Sequence, residues 1–196
     1  SFLFREQEEK SRMDHVEVKK RTLVHRGSIV DVYQDEVQLP DGGTELWDYV
    51  EQRKAAAAVV PVLPDGRILM VAQYRPALGR MTLEIPAGSR DSVEEDTAVC
   101  AARELEEETG YKAGRMEPLL SLRTTVAFCN EMIDVYLARD LTKGHQHLDE
   151  AESIEVGAYE LSDLMGRIFA GKIQDGKTVS GILAYYAKMQ EEQQAE

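Results

Sequence analysis

Long apolar runs are missing from this sequence, so it offers no candidate for a membrane span of about 20 apolar residues. Cysteine is nearly missing too. Cys100 and Cys129 are the whole supply, too few for a disulfide framework. Cys100 lies in the small apolar run Val99-Cys100-Ala101-Ala102 and reads as a buried thiol. A reducing cytoplasm is the expected compartment. The N-terminal stretch SFLFREQEEKSRMDH is too charged to hold the apolar segment of a signal peptide. Positive charge is the other scarcity: 23 Lys and Arg against 36 Asp and Glu give a formal net charge of −13. That balance opposes unaided binding to nucleic acid, whose phosphates are met by Lys and Arg. A phosphorylated ligand stays compatible, because divalent cations can lie between an acidic site and an anionic phosphate.

What is present is a folded chain. Its 196 residues suit one domain, or one with a short appendage, and 43% hydrophobic content supplies a core. No internal repeat or long linker interrupts it. Residues 1–20 are polar and read as mobile or helical. Residues 28–39 and 46–51 are rich in β-formers, with the turn signal Leu39-Pro40-Asp41-Gly42-Gly43 between them. Residues 56–63 and 67–74 flank Pro64-Asp65-Gly66 as a second hairpin. Residues 81–85 form a short strand that stops at Pro86-Ala87-Gly88. Further strands are expected over 119–123, 132–138 and 154–161. Helices are expected over 95–109, closed by Gly110, and over 162–170 and 178–190. Residues 144–152 form a polar loop. Strands first and helices late imply an α/β (α+β) domain with a mixed sheet.

The helix over 95–109 carries the chemistry. Four glutamates, Glu104, Glu106, Glu107 and Glu108, crowd its end. On a wheel of about 100° per residue, Ala98, Ala101 and Leu105 form a narrow core face. Glu104 and Glu108 fall about 40° apart and Glu107 about 60° beyond Glu104, while Glu106 points away. Three converging carboxylates are hard oxygen ligands suited to Mg²⁺ or Mn²⁺, and without a cation they repel. The bland alternative is a solvated acidic face. The Pro-Ala-Gly turn leading into this helix, and the helix's small apolar face, favour a site.

These residues resemble the Nudix box, G-x5-E-x7-R-E-U-x-E-E-x-G-U, with U aliphatic or aromatic, over residues 88–111. Gly88 supplies the first glycine, and Arg103-Glu104-Leu105-Glu106-Glu107-Glu108-Thr109-Gly110-Tyr111 fits the second half position by position. One residue is extra between these anchors. Counted from Gly88 the loop glutamate is Glu94; counted back from Arg103 it is Glu95. In the family that glutamate pairs with the box arginine, and Glu95, which keeps the spacing to the helix, is the expected partner of Arg103. With PDGG, VVPVLPDGRILMVAQYRPA, LEIPAG, QHLDEAESIEV and GKIQDGKT, the resemblance covers residues 28–190 and looks like the ADP-ribose pyrophosphatase branch.

The resemblance implies a Nudix-type α/β/α sandwich with a mixed β-sheet over residues 56–196. It also implies an N-terminal antiparallel β-region over 1–55 that crosses to the partner of a homodimer and helps form the substrate site. Mg²⁺, with Mn²⁺ as substitute, is implied on Glu104 and Glu108, with Glu107 assisting and the Ala87 carbonyl completing the set. Glu152 is implied to orient or deprotonate the attacking water, or to bind a metal, with Glu150 in reserve. Arg75 would meet the phosphates and Trp47 would stack on adenine. Gly88, Glu95, Arg103 and Gly110 would be structural. Without the family, Arg75 is equally a surface ion pair, Trp47 half-buried packing, and Glu150 and Glu152 plain loop charges. His145 and His147 read as solvated loop residues, not ligands. The implied reaction splits ADP-ribose into AMP and ribose 5-phosphate. Members of this branch often carry a proline where Val126 stands. The alternative substrate is therefore another nucleoside diphosphate sugar, such as GDP-mannose or ADP-glucose. The alternative class is a non-catalytic Nudix-like sensor, which the retained Glu104, Glu107 and Glu108 oppose.

Overall fold

The computed structural model describes residues 15–148 and 153–194, which fall into two units. The first runs up to Arg53 and includes Thr125–Asn130. Its strands β1 (Glu17–Arg26), β2 (Val30–Gln38) and β3 (Thr44–Gln52) form an antiparallel sheet in that order. The hairpin between β2 and β3 closes where Leu39 N–H donates to Gly43 O at 2.8 Å and Gly42 takes the left-handed φ of 88° that its lack of a side chain allows. Asp31, Asp35 and Val37 are the buried residues of β2. Asp35 takes a two-pronged bond from Arg21 at 2.7 and 2.6 Å, and that guanidinium lies 3.7 Å over the Tyr49 ring. Residues 125–130 run alongside β3, with Val50 N–H donating to Phe128 O at 2.7 Å. Residues 17–20 are strand, against the expectation of a mobile or helical segment. All ten residues of β1 are exposed, so no buried face imposed an alternation that the sequence would show.

The second unit holds the rest. Its strands are β4 (Ala56–Pro61), β5 (Ile68–Arg75), β6 (Arg80–Glu84), β7 (Ala87–Ser89), β8 (Tyr111–Arg123), β9 (Met132–Lys143) and β10 (Ile154–Tyr159). Its helices are α1 (Thr97–Thr109), α2 (Leu161–Phe169) and α3 (Gly176–Gln194). One sheet has the order β7-β4-β9-β8, with β4 and β9 parallel and the other pairs antiparallel; the other sheet is antiparallel, β10-β5-β6. A strand covered on both faces reads as continuously apolar, as β4 does. Ala57 and Val59 join Leu69, Cys100, Ala101 and Leu105 in a core under α1. Ala58 and Val60 join Ile85, Val135, Leu164 and Ile182 in a core under α2 and α3. The result is the expected α/β/α arrangement around a mixed sheet.

Several features differ from expectation: α1 starts at Thr97 rather than at 95, β9 runs on to Lys143, α3 spans Gly176–Gln194, and β4 and β5 join different sheets across the Pro64-Asp65-Gly66 turn instead of pairing as a hairpin. The strand expected to stop at Pro86-Ala87-Gly88 does so, as β6 ends at Glu84, but the same turn also begins a short strand: Ala87–Ser89 pairs antiparallel with β4. The strand expected over 119–123 already starts at Tyr111, its two halves joined by an irregularity between Pro118 and Leu120.

Candidate active site

Helix α1 is held at both ends. The Asp96 side chain accepts from Ala98 N–H at 2.7 Å, and Gly110, at φ 73°, donates its N–H to Glu106 O at 2.8 Å. The buried stripe Cys100, Ala101 and Leu105 fixes its rotation. Glu106 then turns away and pairs with Lys112 at 3.0 Å. Glu104, Glu107 and Glu108 are turned toward β7 and Arg103.

Strand and helix meet at Gly88. A Cβ there would overlap the Glu104 carboxylate, so glycine is what lets Glu104 lie against the strand. Glu108, only 3% exposed, accepts the Ala87 N–H on Oε2 at 3.0 Å. Arg103 stands among acids. Its Nη1 donates to Glu104 at 2.8 Å and Glu107 at 2.9 Å, and its Nη2 to Ser89 O at 3.1 Å. Its Nε and Nη2 reach the two oxygens of Glu95 at 3.3 and 3.4 Å. Glu95 is thus the loop glutamate that meets Arg103. The extra residue is taken up in a turn in which Glu95 accepts from Asp91 N–H at 2.7 Å and Glu94 N–H leans on the Ser92 hydroxyl at 3.3 Å. Burial alone would lower the Arg103 pKa; hydrogen bonds and charge from Glu95, Glu104 and Glu107 outweigh it and raise it. In return Arg103, with the Asp91 N–H, holds the Glu95 carboxyl below its ordinary value.

A cavity of about 250 Å³ opens here, lined by Ala87, Gly88, Ser89, Asp91, Arg103, Glu104, Glu107 and His147. Residues 144–147 close the end of α1. Gly144 N–H donates to Gly110 O at 2.6 Å, Gln146 Nε2 to Glu108 O at 2.6 Å, and His147 N–H to Glu107 O at 3.0 Å. His145 and His147 are exposed loop residues, as expected, and it is the backbone of His147 that makes its bond to α1. Glu150 and Glu152 lie outside the described residues.

The donor set here is hard: carboxylate oxygens at a backbone turn, in a polar cavity with room for more than one water-sized group, which fits a divalent cation such as Mg²⁺. As placed, Arg103 supplies the positive charge that balances Glu104 and Glu107. Among the described residues no three His, Cys, Asp or Glu side chains are already gathered around one point.

Arg75 lines a different cavity, of about 340 Å³, with Arg80, Glu84 and Asp175 among its walls. It grips Glu84 with two bonds, at 2.8 and 2.6 Å. Glu84 is 2% exposed and also receives Lys177 Nζ at 2.5 Å and the Thr82 hydroxyl at 2.7 Å. Burial would push its pKa up, but Arg75, Lys177 and Thr82 bring it down to about 2. Glu84 and Lys177 carry no signal in the sequence, because a lone acid in a strand and a lone lysine at a helix start gain a role only when the fold joins them. Trp47, in the first unit, is 43% exposed. Its indole N–H donates to Glu45 at 2.9 Å, and the ring borders a groove of about 620 Å³ with Leu46, Val50 and Phe128.

The description NUDIX domain matches residues 52–180, which include all the residues of the acidic cavity. The chain belongs to the Nudix family. Nudix hydrolases generally use divalent metals such as Mg²⁺. This Nudix chain is 35% identical over 175 residues to an ADP-ribose pyrophosphatase of Bacillus subtilis, covering 88% of this chain and 92% of that protein. It is 35% identical over 177 residues to an ADP-ribose pyrophosphatase of Mycobacterium tuberculosis, covering 89% and 84%. A methanol dehydrogenase activator of Bacillus methanolicus is 37% identical over 174 residues, with coverage of 88% and 92%. Among solved structures, an ADP compounds hydrolase superposes with a TM-score of 0.83 at 18% identity, over 92% of this chain and 97% of that one, which supports the fold. Among the described residues of this Nudix chain no helix is long and apolar enough to cross a membrane.

Proposed function

We propose that this Nudix hydrolase cleaves the pyrophosphate of ADP-ribose, giving AMP and ribose 5-phosphate, with Mg²⁺ as its cation and Mn²⁺ as a substitute. The observation that carries the reading is the acidic cavity at Gly88, where Glu104 and Glu107 face the space and Glu108 is locked to the Ala87 N–H. The names of the Bacillus subtilis and Mycobacterium tuberculosis relatives supply the substrate.

Glu104, Glu108 and the Ala87 carbonyl hold the cation, with Glu107 assisting. When bound, it neutralises charge developing on the phosphates and lowers the pKa of an attacking water. The protein's own part is placement. Arg103 and Glu95 keep the carboxylates splayed against β7, and Gly88 gives Glu104 its approach. Glu152, with Glu150 in reserve, accepts the proton of the water as it attacks phosphorus and the bridging P–O bond breaks. Arg75 steadies the phosphates and Trp47 offers its exposed ring to the adenine. The uncovered apolar side chains of β1, Val18, Leu23 and Val24, suit a homodimer, in which a partner strand would cover them.

A panel of ADP-ribose, ADP-glucose and GDP-mannose, each with Mg²⁺ and with Mn²⁺, tests the substrate. ADP-ribose is expected to have the highest kcat/KM. The second reading, another nucleoside diphosphate sugar, rests on Val126 in the place of a proline, and a clear winner other than ADP-ribose would establish it. Glu108→Gln should lower kcat by roughly two orders of magnitude or more at unchanged far-UV dichroism. Near-full activity in that variant removes Glu108 from the cation site.

A further inference from the structure

Residues 84–87 link the acidic cavity to the cavity at Arg75, and each of the four is pinned. Glu84 is held by Arg75 and Lys177. The Pro86 carbonyl accepts from Val59 N–H at 3.0 Å, and Ala87 N–H donates to Glu108 at 3.0 Å. Ile85 donates its N–H to Thr178 Oγ1 at 3.0 Å, and both residues are fully buried. The Thr178 hydroxyl in turn donates to Asp175 Oδ2 at 2.6 Å. The same Asp175 oxygen accepts Thr178 N–H at 3.1 Å and Lys177 Nζ at 2.9 Å. Asp175 stands one residue before α3 and binds its third N–H, which is the geometry of a helix N-cap. One turn on, α3 presses close. A Cβ on Gly181 would sit 3.1 Å from Ile85 Cδ1 and 3.2 Å from Val60 Cγ2.

A buried amide demands an acceptor, so the Ile85 N–H goes where the Thr178 oxygen is. Ile85 is two residues from Ala87, whose carbonyl and N–H serve the cation site from opposite sides of one peptide unit pair. We propose that the Asp175–Thr178 cap of α3 is a positioning device for the cation site: it sets the height of the strand end at Ile85, and with it the Ala87 carbonyl and the Ala87 N–H that orients Glu108. This rests on Ala87 and Glu108 being cation-holding residues. Neither Asp175 nor Thr178 touches the acidic cavity; they act through the backbone.

The test uses Thr178→Val, which keeps the shape of the side chain and removes the acceptor, and Thr178→Ser, which restores it. Mn²⁺ alone is titrated into the full chain by electron paramagnetic resonance, and kcat and KM for ADP-ribose are measured with Mg²⁺. In Thr178→Val, Mn²⁺ affinity is expected to fall roughly tenfold or more, as for residues that orient metal ligands from behind. The kcat should fall by up to about a hundredfold, as for a reacting geometry displaced by about 1 Å, with KM little changed. Thr178→Ser should recover both. A cap that only stabilises the helix would lower the melting temperature and leave the Mn²⁺ affinity alone. A folded Thr178→Val with wild-type Mn²⁺ affinity and kcat overturns the proposal, whatever its melting temperature. If Thr178→Val does not fold, Asp175→Ala, which removes the cap oxygen, carries the comparison: weaker Mn²⁺ binding supports the proposal and wild-type binding overturns it. A wild-type chain that binds Mn²⁺ without hydrolysing ADP-ribose counts against the substrate, not against the cap, because the Mn²⁺ titration still reads the cap.

Discussion

Glu84→Gln keeps the volume of the side chain and removes the charge that Arg75 and Lys177 both face. The unfolded carboxyl has a pKa of 4.5, and the folded one is held at about 2. Each pH unit between them is worth about 1.4 kcal/mol, so the ionised carboxylate stabilises the fold by about 3 kcal/mol at neutral pH. Arg75 is 40% exposed and its share is screened by water; Lys177, 9% exposed, carries more. Removing one partner of a buried pair leaves the other uncompensated, which puts the loss at about 3–5 kcal/mol. The folded pKa is the depressed one, so the contribution is complete above pH 4.5. It is lost as pH falls from 4.5 toward 2, where the unfolded chain takes up the proton first. Urea unfolding followed by far-UV dichroism at pH 7 and at pH 3 measures this. Wild type should exceed Glu84→Gln by about 3 kcal/mol or more at pH 7, and the gap should narrow markedly at pH 3. A gap that stays constant between the two, or one below about 1 kcal/mol at pH 7, refutes the account of a buried, charge-locked carboxylate.

Gly88→Ala should displace the Glu104 carboxylate and cost Mn²⁺ binding far more than stability, read by paramagnetic titration beside a thermal melt. Gly110→Ala places a side chain at φ 73° and 2.9 Å from Gln146 N; it should lose roughly 1–2 kcal/mol in urea unfolding from the backbone conformation alone. Cys100 is buried, and burial pushes its thiol up to about 11, so a disulfide reagent at pH 8 should modify no more than one thiol per native chain and two in denaturant. Trp47 is the sole tryptophan and largely in contact with water, so native fluorescence should be red-shifted, and ADP-ribose should quench it if the ring stacks on the adenine.

The sequence was most legible where one local rule was obeyed without competition. The wheel separated Glu106 from Glu104, Glu107 and Glu108, and the structure gives Glu106 to Lys112. The Pro64-Asp65-Gly66 turn and the apolar run over 56–61 were clear because β4 is buried on both faces. β1 escaped because neither of its faces is buried, and β7 because three residues after a proline carry no period. The first half of β8 was obscured by Gly114 and Pro118, which read as breakers until β9 pairs with them. Around the site, the box residues were readable and the supports were not. Glu84 is distant in sequence from Lys177 and Thr178, and they meet only where α3 packs on the strands. Asp175 three residues before Thr178 was the available signal, a helix-capping spacing masked by Gly176.

The order in which this chain is made matters for its folding. Ala56 pairs in parallel with Ile133, and Val50 lies beside Cys129, so both units take backbone partners from one short stretch of chain, with β10 following later to pair with β5. On a ribosome, β1 to β5 emerge early, but both units still wait for partners from residues 125–138. Pairings so far apart in sequence are slow, because the intervening loop must be ordered before the contact repays it. Until then the apolar β4 is an uncovered strand edge. A synthesis arrested before residue 125 should therefore leave an aggregation-prone nascent chain, whereas one arrested after α3 has emerged should resist protease.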